Sequence, residues 1–225
     1  MKQKNNVLWN ECDELMRKQK VSTAVIRRLP RYYRHLNDLY RAGVERISSN
    51  ALGKSMGLTA SQIRQDLSCF GEFGQQGYGY NVESLRSEVS DILGMNRGHT
   101  AVVLGAGNLG RALIENFHFE RSGVILAAAF DIDRSIVGRE LSGVQVYHAD
   151  QLEEYLSLHP ASIGVLTVPG SAAPRIAERL VGAGVRGLWN FTNIELNVKA
   201  PGLVVEDVHF ADSLLALSYM ISEEP

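Results

Sequence analysis

Apolar residues recur along this chain at two periods, and the change of period divides it. Between Ser22 and about Arg41, the residues Val25, Ile26, Leu29, Tyr32, Tyr33, Leu36, Leu39 and Tyr40 repeat every three to four positions. That spacing predicts an amphipathic helix stopped by Gly43. Pro30 lies inside it and predicts a local bend. The preceding stretch, 5–19, carries Leu8, Cys12, Leu15 and Met16 at helical spacing and reads either as a short helix or as a frayed extension. Ser48 or Ser49 caps a short helix over 50–56, Gly57-Leu58 make a turn, and Thr59 caps a second helix over 60–70. Leu52 and Met56 on the first can pack on Ile63 and Leu67 of the second, which makes a helix-turn-helix. Residues 71–82, GEFGQQGYGYNV, predict a tight β-hairpin, the wing of a winged helix. A linking helix over 83–93 ends at Gly94, and a domain boundary follows near 96–100.

Beyond that boundary short apolar runs alternate with helical stretches, the pattern of an α/β fold with a parallel sheet. Strands are expected at 101–104, 124–130, 144–147, 163–168, 187–191 and 203–208. Helices are expected at 111–117, at 151–158 with Asp150 as cap, at 171–183 after the Pro169-Gly170 turn, and at 211–221. The last carries Leu214, Leu215, Leu217, Tyr219 and Met220 and is apolar nearly all round, so it reads as a subunit contact. The expected division is an N-terminal extension (1–20), a winged-helix domain (21–82), a linker helix (83–99), a Rossmann domain (100–208) and a C-terminal helix (209–225).

The junction AVVLGAGNLGRALIENF, 101–117, places Gly105, Gly107 and Gly110 in the spacing G-x-G-x-x-G between a strand and a helix. A dinucleotide pyrophosphate needs this arrangement. The first glycine makes the tight turn, the second lets backbone approach the phosphates, and the third lets the helix pack close, with its amides facing the ligand. Ala106, Asn108 and Leu109 complete the loop. The run VILAAAF, 124–130, ends in Asp131, 21 residues after Gly110, where a carboxylate meets the adenosine ribose hydroxyls. An acid there favours NAD(H) over NADP(H). Ligands sit at the carboxyl ends of parallel strands, which makes Thr167, Pro169 and Asn190 secondary candidates, with plain strand-end structure as the competing reading.

Charge separates the two parts. The chain has 225 residues and a net charge of −2. Residues 1–80 hold 13 Lys and Arg against 7 Asp and Glu, while 81–225 hold 10 against 18. A basic helix-turn-helix part on an acidic remainder suits contact with nucleic acid. The exposed face of the second short helix would carry Ser61, Gln62, Arg64, Gln65 and Ser68 toward base edges and phosphates; Lys54 and the wing residues Gln75, Gln76 and Tyr78 join them. Gly53-Lys54-Ser55 imitates the end of a P-loop, but the earlier glycine required at 48 is Ser48 and no strand precedes it. No apolar run approaches the roughly 20 residues of a membrane span, and the first 20 residues lack a signal-peptide core, so a cytoplasmic protein is expected. Cys12 and Cys69 are far apart, reduced thiols are expected, and no metal site is read.

The order of these features resembles the redox-sensing transcriptional repressors called Rex. The resemblance spans about 21–222 and rests on RRLPRYYRHL (27–36), TASQIRQDLSCFGEFGQQGYGYNV (59–82), VVLGAGNLGRAL (102–113), AAFDID (128–133), LTVP (166–169), NFT (190–192) and VEDVHF (205–210). It implies a homodimer of winged-helix and Rossmann domains whose last helix is exchanged between subunits. It also implies one site per subunit for which NADH and NAD⁺ compete. The free or NAD⁺-bound dimer would hold a palindromic operator, and the NADH-bound dimer would close and let go. Carried over by residue, Gly105, Gly107, Asn108, Leu109 and Gly110 would hold the pyrophosphate, Asp131 the ribose, and Phe210 would lie near the nicotinamide. Arg34 would belong to the link between domains. Four departures from relatives stand out: Gln65 where many carry a Lys, Gln75-Gln76 where a basic pair is common, His209 where some have an Asp, and Phe117 where some have a Tyr. His209 reads either as a source of pH dependence in the switch or as a packed side chain.

Two rival readings follow from the Rossmann part alone. An NAD-dependent dehydrogenase needs an acid or base near the nicotinamide. There is no Tyr-x-x-x-Lys pair, Lys199 is the only lysine after Lys54, and His209 is the only candidate, so no enzyme is expected. The other reading is a site for a different adenine nucleotide, such as coenzyme A.

Overall fold

The computed structural model describes residues 21–74 and 78–222. The stretch 5–19 with Cys12, and the wing residues Gln75 and Gln76, lie outside the described residues. The chain divides into two compact units between Asn96 and Arg97.

In the first unit, α1 (Thr23–Arg41) starts where the Ser22 hydroxyl accepts from the Val25 amide at 3.4 Å. It runs through Pro30, which is exposed, so water can take the place of the missing hydrogen bond. Strand β1 (Arg46–Ile47) leads to α2 (Ser49–Met56), capped by Ser48. Gly57 closes α2 in the left-handed conformation, at φ 66°. Thr59 then caps α3 (Ala60–Ser68) through the Gln62 amide at 3.1 Å. Helix α3 ends short of residue 70. The Cys69 and Phe70 amides turn back to the Asp66 and Leu67 carbonyls in a tighter last turn.

The turn of the expected hairpin within 71–82 falls on residues 75–77, which lie outside the described residues. Strand β2 (Tyr80–Asn81) pairs antiparallel with β1, ahead of the helix-turn-helix, matching Arg46 with Asn81 and Ile47 with Tyr80. Gly79 permits this: at φ +69°, a side chain there would lie 2.6 Å from the Ile47 carbonyl oxygen. Helix α4 (Val82–Ile92) was expected to be a link. It is part of this unit's core instead, because Val82, Leu85 and Val89 are buried with Leu29, Tyr32, Leu36, Leu52, Ile63 and Leu67.

The second unit is built on a seven-stranded sheet in the order β5-β6-β4-β3-β7-β8-β9. The strands are β3 (His99–Leu104), β4 (Val124–Asp131), β5 (Glu140–Leu141), β6 (Val144–His148), β7 (Ile163–Leu166), β8 (Gly187–Asn190) and β9 (Val204–Asp207). All neighbours are parallel except β5 and β6. Leaving out β5, chain order across the sheet is the doubly wound 3-2-1-4-5-6, and direction reverses between β3 and β7. The run Ala101–Leu104 is buried throughout, as a central parallel strand must be. The β5–β6 hairpin was not expected. Strand β5 is only two residues long and shows no period, and Ser142 and Gly143, at φ 47° and 85°, form the hairpin's two-residue turn.

The helices of this unit are α5 (Asn108–Asn116), α6 (Leu152–Leu158), α7 (Ala173–Gly182) and α8 (Phe210–Ser222). Asp150 does not cap α6. A short 3₁₀ turn precedes that helix, and His148 caps the turn: its ring nitrogen accepts from the Asp150 amide at 3.3 Å while Gln151 Oε1 accepts from the His148 amide at 3.1 Å. Helix α8 has no buried residue. Its apolar side chains, Leu214, Leu215, Leu217, Tyr219, Met220 and Ile221, all lie open.

Candidate dinucleotide crevice and nucleic-acid face

The three glycines of the loop do different work. Gly105 has φ +95°, and a Cβ there would lie 2.9 Å from the Thr167 backbone. A Cβ on Gly110 would lie 1.8 Å from the Gly105 carbonyl oxygen, so only glycine lets α5 dock on the end of β3. A Cβ on Gly107 would meet nothing within 4 Å. Gly107 therefore borders open space, as a position where backbone comes close to a ligand must. Gly107 is also the N-cap of α5 and offers no side-chain cap, which leaves the first-turn amides, including those of Asn108 and Leu109, open to an anion. These residues fit a pyrophosphate.

Parallel register brings the other candidates to the same edge. Leu104 pairs with Phe130 and Leu166, Leu166 with Asn190, and Asn190 with Asp207. Asp131 ends β4, half-buried. Its Oδ2 accepts from the Ala106 amide at 2.6 Å and its Oδ1 from the Asp133 amide at 2.9 Å. The carboxylate thus holds the glycine loop as well as facing the crevice. The Thr167 hydroxyl donates to the Gly105 and Leu104 carbonyls, at 2.7 and 3.0 Å, and so pins the turn across the β3–β7 gap. Pro169 is exposed just beyond. Asn190 is committed inside the protein: its Nδ2 donates to Ile194 O and Asp207 Oδ1, both at 2.7 Å, while its Oδ1 accepts from the Thr192 amide and hydroxyl. It braces the strand end, which is the competing reading of this position.

Around Phe117 the structure sets an aromatic tier. Phe117 packs on Phe119 and Trp189 (centroids 4.9 and 5.2 Å), Trp189 on Phe191 (4.6 Å), and Phe191 approaches Phe210 (6.0 Å). Apolar contact therefore connects the end of α5 to the first residue of α8. His209 is half-buried, and its carbonyl accepts from the Asp212 amide at 3.2 Å.

On the first unit, Ser61, Arg64, Gln65 and Ser68 are exposed along α3, with Lys54 exposed on α2 and Tyr78 beyond the wing. Arg64 reaches the Ser49 hydroxyl at 2.9 Å. A groove of about 650 Å³ opens beside it, lined by Ser49, Arg64, Ser68, Glu72 and Tyr80 among others. Arg34 is exposed on α1. Gln62 is half-buried, and its amide nitrogen donates to Asp66 Oδ1 at 2.7 Å.

Asp66 was not singled out from the sequence, although it shares the buried helical face of Ile63 and Leu67, where a lone charge signals a buried pair. It is fully buried. Arg28 meets it through two nitrogens, at 2.6 and 2.7 Å, and the Tyr32 hydroxyl donates to it at 2.9 Å. Burial pushes the Asp66 carboxyl up, but the hydrogen bonds from Arg28, Gln62 and Tyr32 outweigh it and hold the group below its usual range. Burial, with the Asp66 bond, pushes the Tyr32 phenol well up.

Two predictions follow from this geometry. Gly110→Ala should cost the second unit about 3 kcal/mol or more, because the clash is with backbone. Gly107→Ala should leave the unfolding midpoint unchanged yet lower dinucleotide affinity at least about tenfold. Calorimetry and a binding titration on both variants check this, and equal behaviour of the two would contradict it. For Asp66 the folded carboxyl lies below the unfolded value of about 3.9, so its stabilisation is full above about pH 4 and is lost as pH falls through the folded value. Asp66→Asn should therefore destabilise the full chain by about 3 kcal/mol at neutral pH, and by progressively less toward pH 3, in denaturant unfolding.

Comparison with known proteins agrees with both units. Residues 20–68 match the family described as "Putative DNA-binding protein N-terminus", and residues 96–194 match the family described as "CoA binding domain". The redox-sensing transcriptional repressor Rex of Clostridium tetani is 43% identical over 208 residues, 92% of this chain and 98% of that protein. The Rex of Thermoanaerobacter pseudethanolicus is 46% identical over 210 residues, 93% of each. Among solved structures, RSP in complex with β-NAD⁺ and operator DNA superposes with a TM-score of 0.86 at 46% identity, covering 92% of this chain and 94% of that one. RSP in complex with β-NADH gives 0.84 at 43%, covering 92% and 96%. With a helix-turn-helix, a glycine-loop crevice and this degree of identity over nearly its whole length, the chain belongs to the Rex family of redox-sensing transcriptional repressors.

Proposed function

We propose that this chain represses transcription from a palindromic operator as a cytoplasmic homodimer, and that the ratio of NADH to NAD⁺ sets its hold on DNA. The observation that carries this reading is one chain holding both an exposed polar helix-turn-helix face and an uncapped helix N-terminus behind Gly107. The amides of Asn108 and Leu109 would take the pyrophosphate, and Asp131 the adenosine ribose. Its carboxylate would repel the 2′-phosphate of NADP(H). Ser61, Arg64, Gln65 and Ser68, with Lys54, Gln75, Gln76 and Tyr78, would meet operator phosphates and bases. Gln65 removes a positive charge that many relatives carry there, which changes base preference at that position. Regions 21–82 and 100–208 would be the DNA-reading and nucleotide-reading parts, and 209–225 would carry the exchanged helix.

Switching requires that the two nucleotides bind the two dimer forms unequally. NADH and NAD⁺ differ by one hydride and one positive charge at the nicotinamide. Phe210, at the start of α8 and 57% exposed, is where this chain can register that difference. The aromatic tier Phe117–Trp189–Phe191–Phe210 connects that position to α5, whose other end faces the pyrophosphate. In this chain packing takes the place of the polar relay of relatives with Tyr and Asp at 117 and 209. Closing the dimer would change the separation of its two α3 helices. Half-sites one helical turn apart, about 34–36 Å, would then no longer fit.

Fluorescence anisotropy on an inverted-repeat operator, with NADH titrated against a fixed excess of NAD⁺, tests the reading. Release by NADH at a small fraction of the NAD⁺ concentration is expected. Asp131→Ala should bind DNA but lose that response. Release by coenzyme A, or by neither nucleotide, would contradict the reading, as would turnover of NADH. The dimer is tested separately: Leu214→Lys with Leu217→Lys should move the sedimentation coefficient from dimer to monomer.

A further inference from the structure

Behind the exposed face of α3 lies a carboxylate that cannot touch DNA. Asp66 is fully buried, and each of its oxygens accepts two hydrogen bonds: Oδ2 from Arg28 Nε and the Tyr32 hydroxyl, Oδ1 from Arg28 Nη2 and Gln62 Nε2. Arg28 and Tyr32 belong to α1 and lock the carboxylate in place. Gln62, the third residue of α3, lies where recognition helices of this motif meet base edges. Its main-chain amide is held by Thr59 Oγ1 at 3.1 Å. Its side-chain nitrogen is held by Asp66 at 2.7 Å.

This bond has a direction. A carboxylate only accepts, so the nitrogen of Gln62 must face Asp66 and Oε1 must turn away. One acceptor and one remaining N–H are then presented together at the end of the side chain. That pair matches the N6 donor and N7 acceptor on the major-groove edge of adenine. Gln65, one turn on, is exposed, and among the described residues no hydrogen bond fixes its amide.

We propose that Asp66 is a positioning residue that orients Gln62 before DNA arrives, and that Gln62 thereby reads one base pair of the half-site, an adenine by its hydrogen-bonding pattern. The inference rests on the reading of α3 as the recognition helix. Ordering the amide in advance removes an entropic cost from binding and prevents the flipped amide, which would present donor and acceptor in the wrong order.

Two measurements test it. In the free wild-type chain, ¹⁵N relaxation should find the Gln62 side-chain amide as ordered as the backbone, and that of Gln65 mobile. Equal mobility of the two overturns the proposal, whatever becomes of any variant. In the second, wild type selects its half-site from a library of randomised duplexes. Gln62→Ala should lose about tenfold discrimination at one base pair, and Asp66→Asn should lose it at that same pair. Adding Asp66→Asn to Gln62→Ala should cost nothing further there. A merely structural role would weaken all sequences alike and add to the Gln62 effect, and that result overturns the proposal. If wild type selects a sequence and Asp66→Asn selects with an unaltered profile, this inference alone falls. If wild type selects no sequence, the reading of α3 as a DNA-reading helix falls with it.

Discussion

The nucleotide-facing half of this molecule depends on one close approach. The carbonyl oxygen of Gly105 occupies the place where any residue but glycine at 110 would carry its Cβ. Because no Cβ intervenes, α5 packs directly on the turn that leaves β3. The Thr167 hydroxyl reaches from the end of β7 to the same carbonyl, and Asp131 reaches in from β4 to the Ala106 amide. Three strand ends thus converge on one turn. Each contact is ordinary in strength, on the order of 1 kcal/mol. Together they fix a loop whose outward side is bare backbone.

The first unit solves a related problem with a buried charge. There a carboxylate fastens α3 to α1 through Arg28 and Tyr32, and the bonds to it outweigh the cost of burial. In both units an acidic side chain holds the piece of backbone or side chain that faces outward. Asp131 does this at the edge of solvent and Asp66 in full burial. Rigidity, more than added affinity, is the common result.

The fold was legible in the sequence wherever a long period or a glycine had a single physical meaning. The stripe from Val25 to Tyr40, the αL turn at Gly57 and the run Ala101–Leu104 all carried their structure openly. The Gly-rich stretch 71–82 contains its own turn signals and reads as a local hairpin. The pairing of Tyr80–Asn81 with Arg46–Ile47 is invisible there, since that partner is two residues long with no period to detect. From sequence, helix α4 reads as a link, because position along the chain says nothing about which core a helical stripe joins. For the site, G-x-G-x-x-G and Asp131 stood out, since covalent spacing alone brings them to one edge. For Asn190 the sequence leaves ligand contact and strand-end structure both open, because a hydrogen-bond partner 17 residues away in Asp207 leaves no mark in local pattern. Asp66 was visible in principle, as a charge on the buried face of a helix, yet its partners lie 34 and 38 residues earlier.

Covered by a second copy, helix α8 would make concentration a variable of this protein's own folding. A helix of 13 residues with no buried side chain gains little from its own chain, and helices of that length are marginal in water. Its order must come from whatever covers it. If that cover is a second copy, assembly and helix formation become one equilibrium, and dilution melts the helix as surely as it separates the subunits. The number of molecules per cell then enters the thermodynamics directly. A cell that made more of this protein would then also make each molecule more completely folded along α8, beside the residue where the nicotinamide would be sensed.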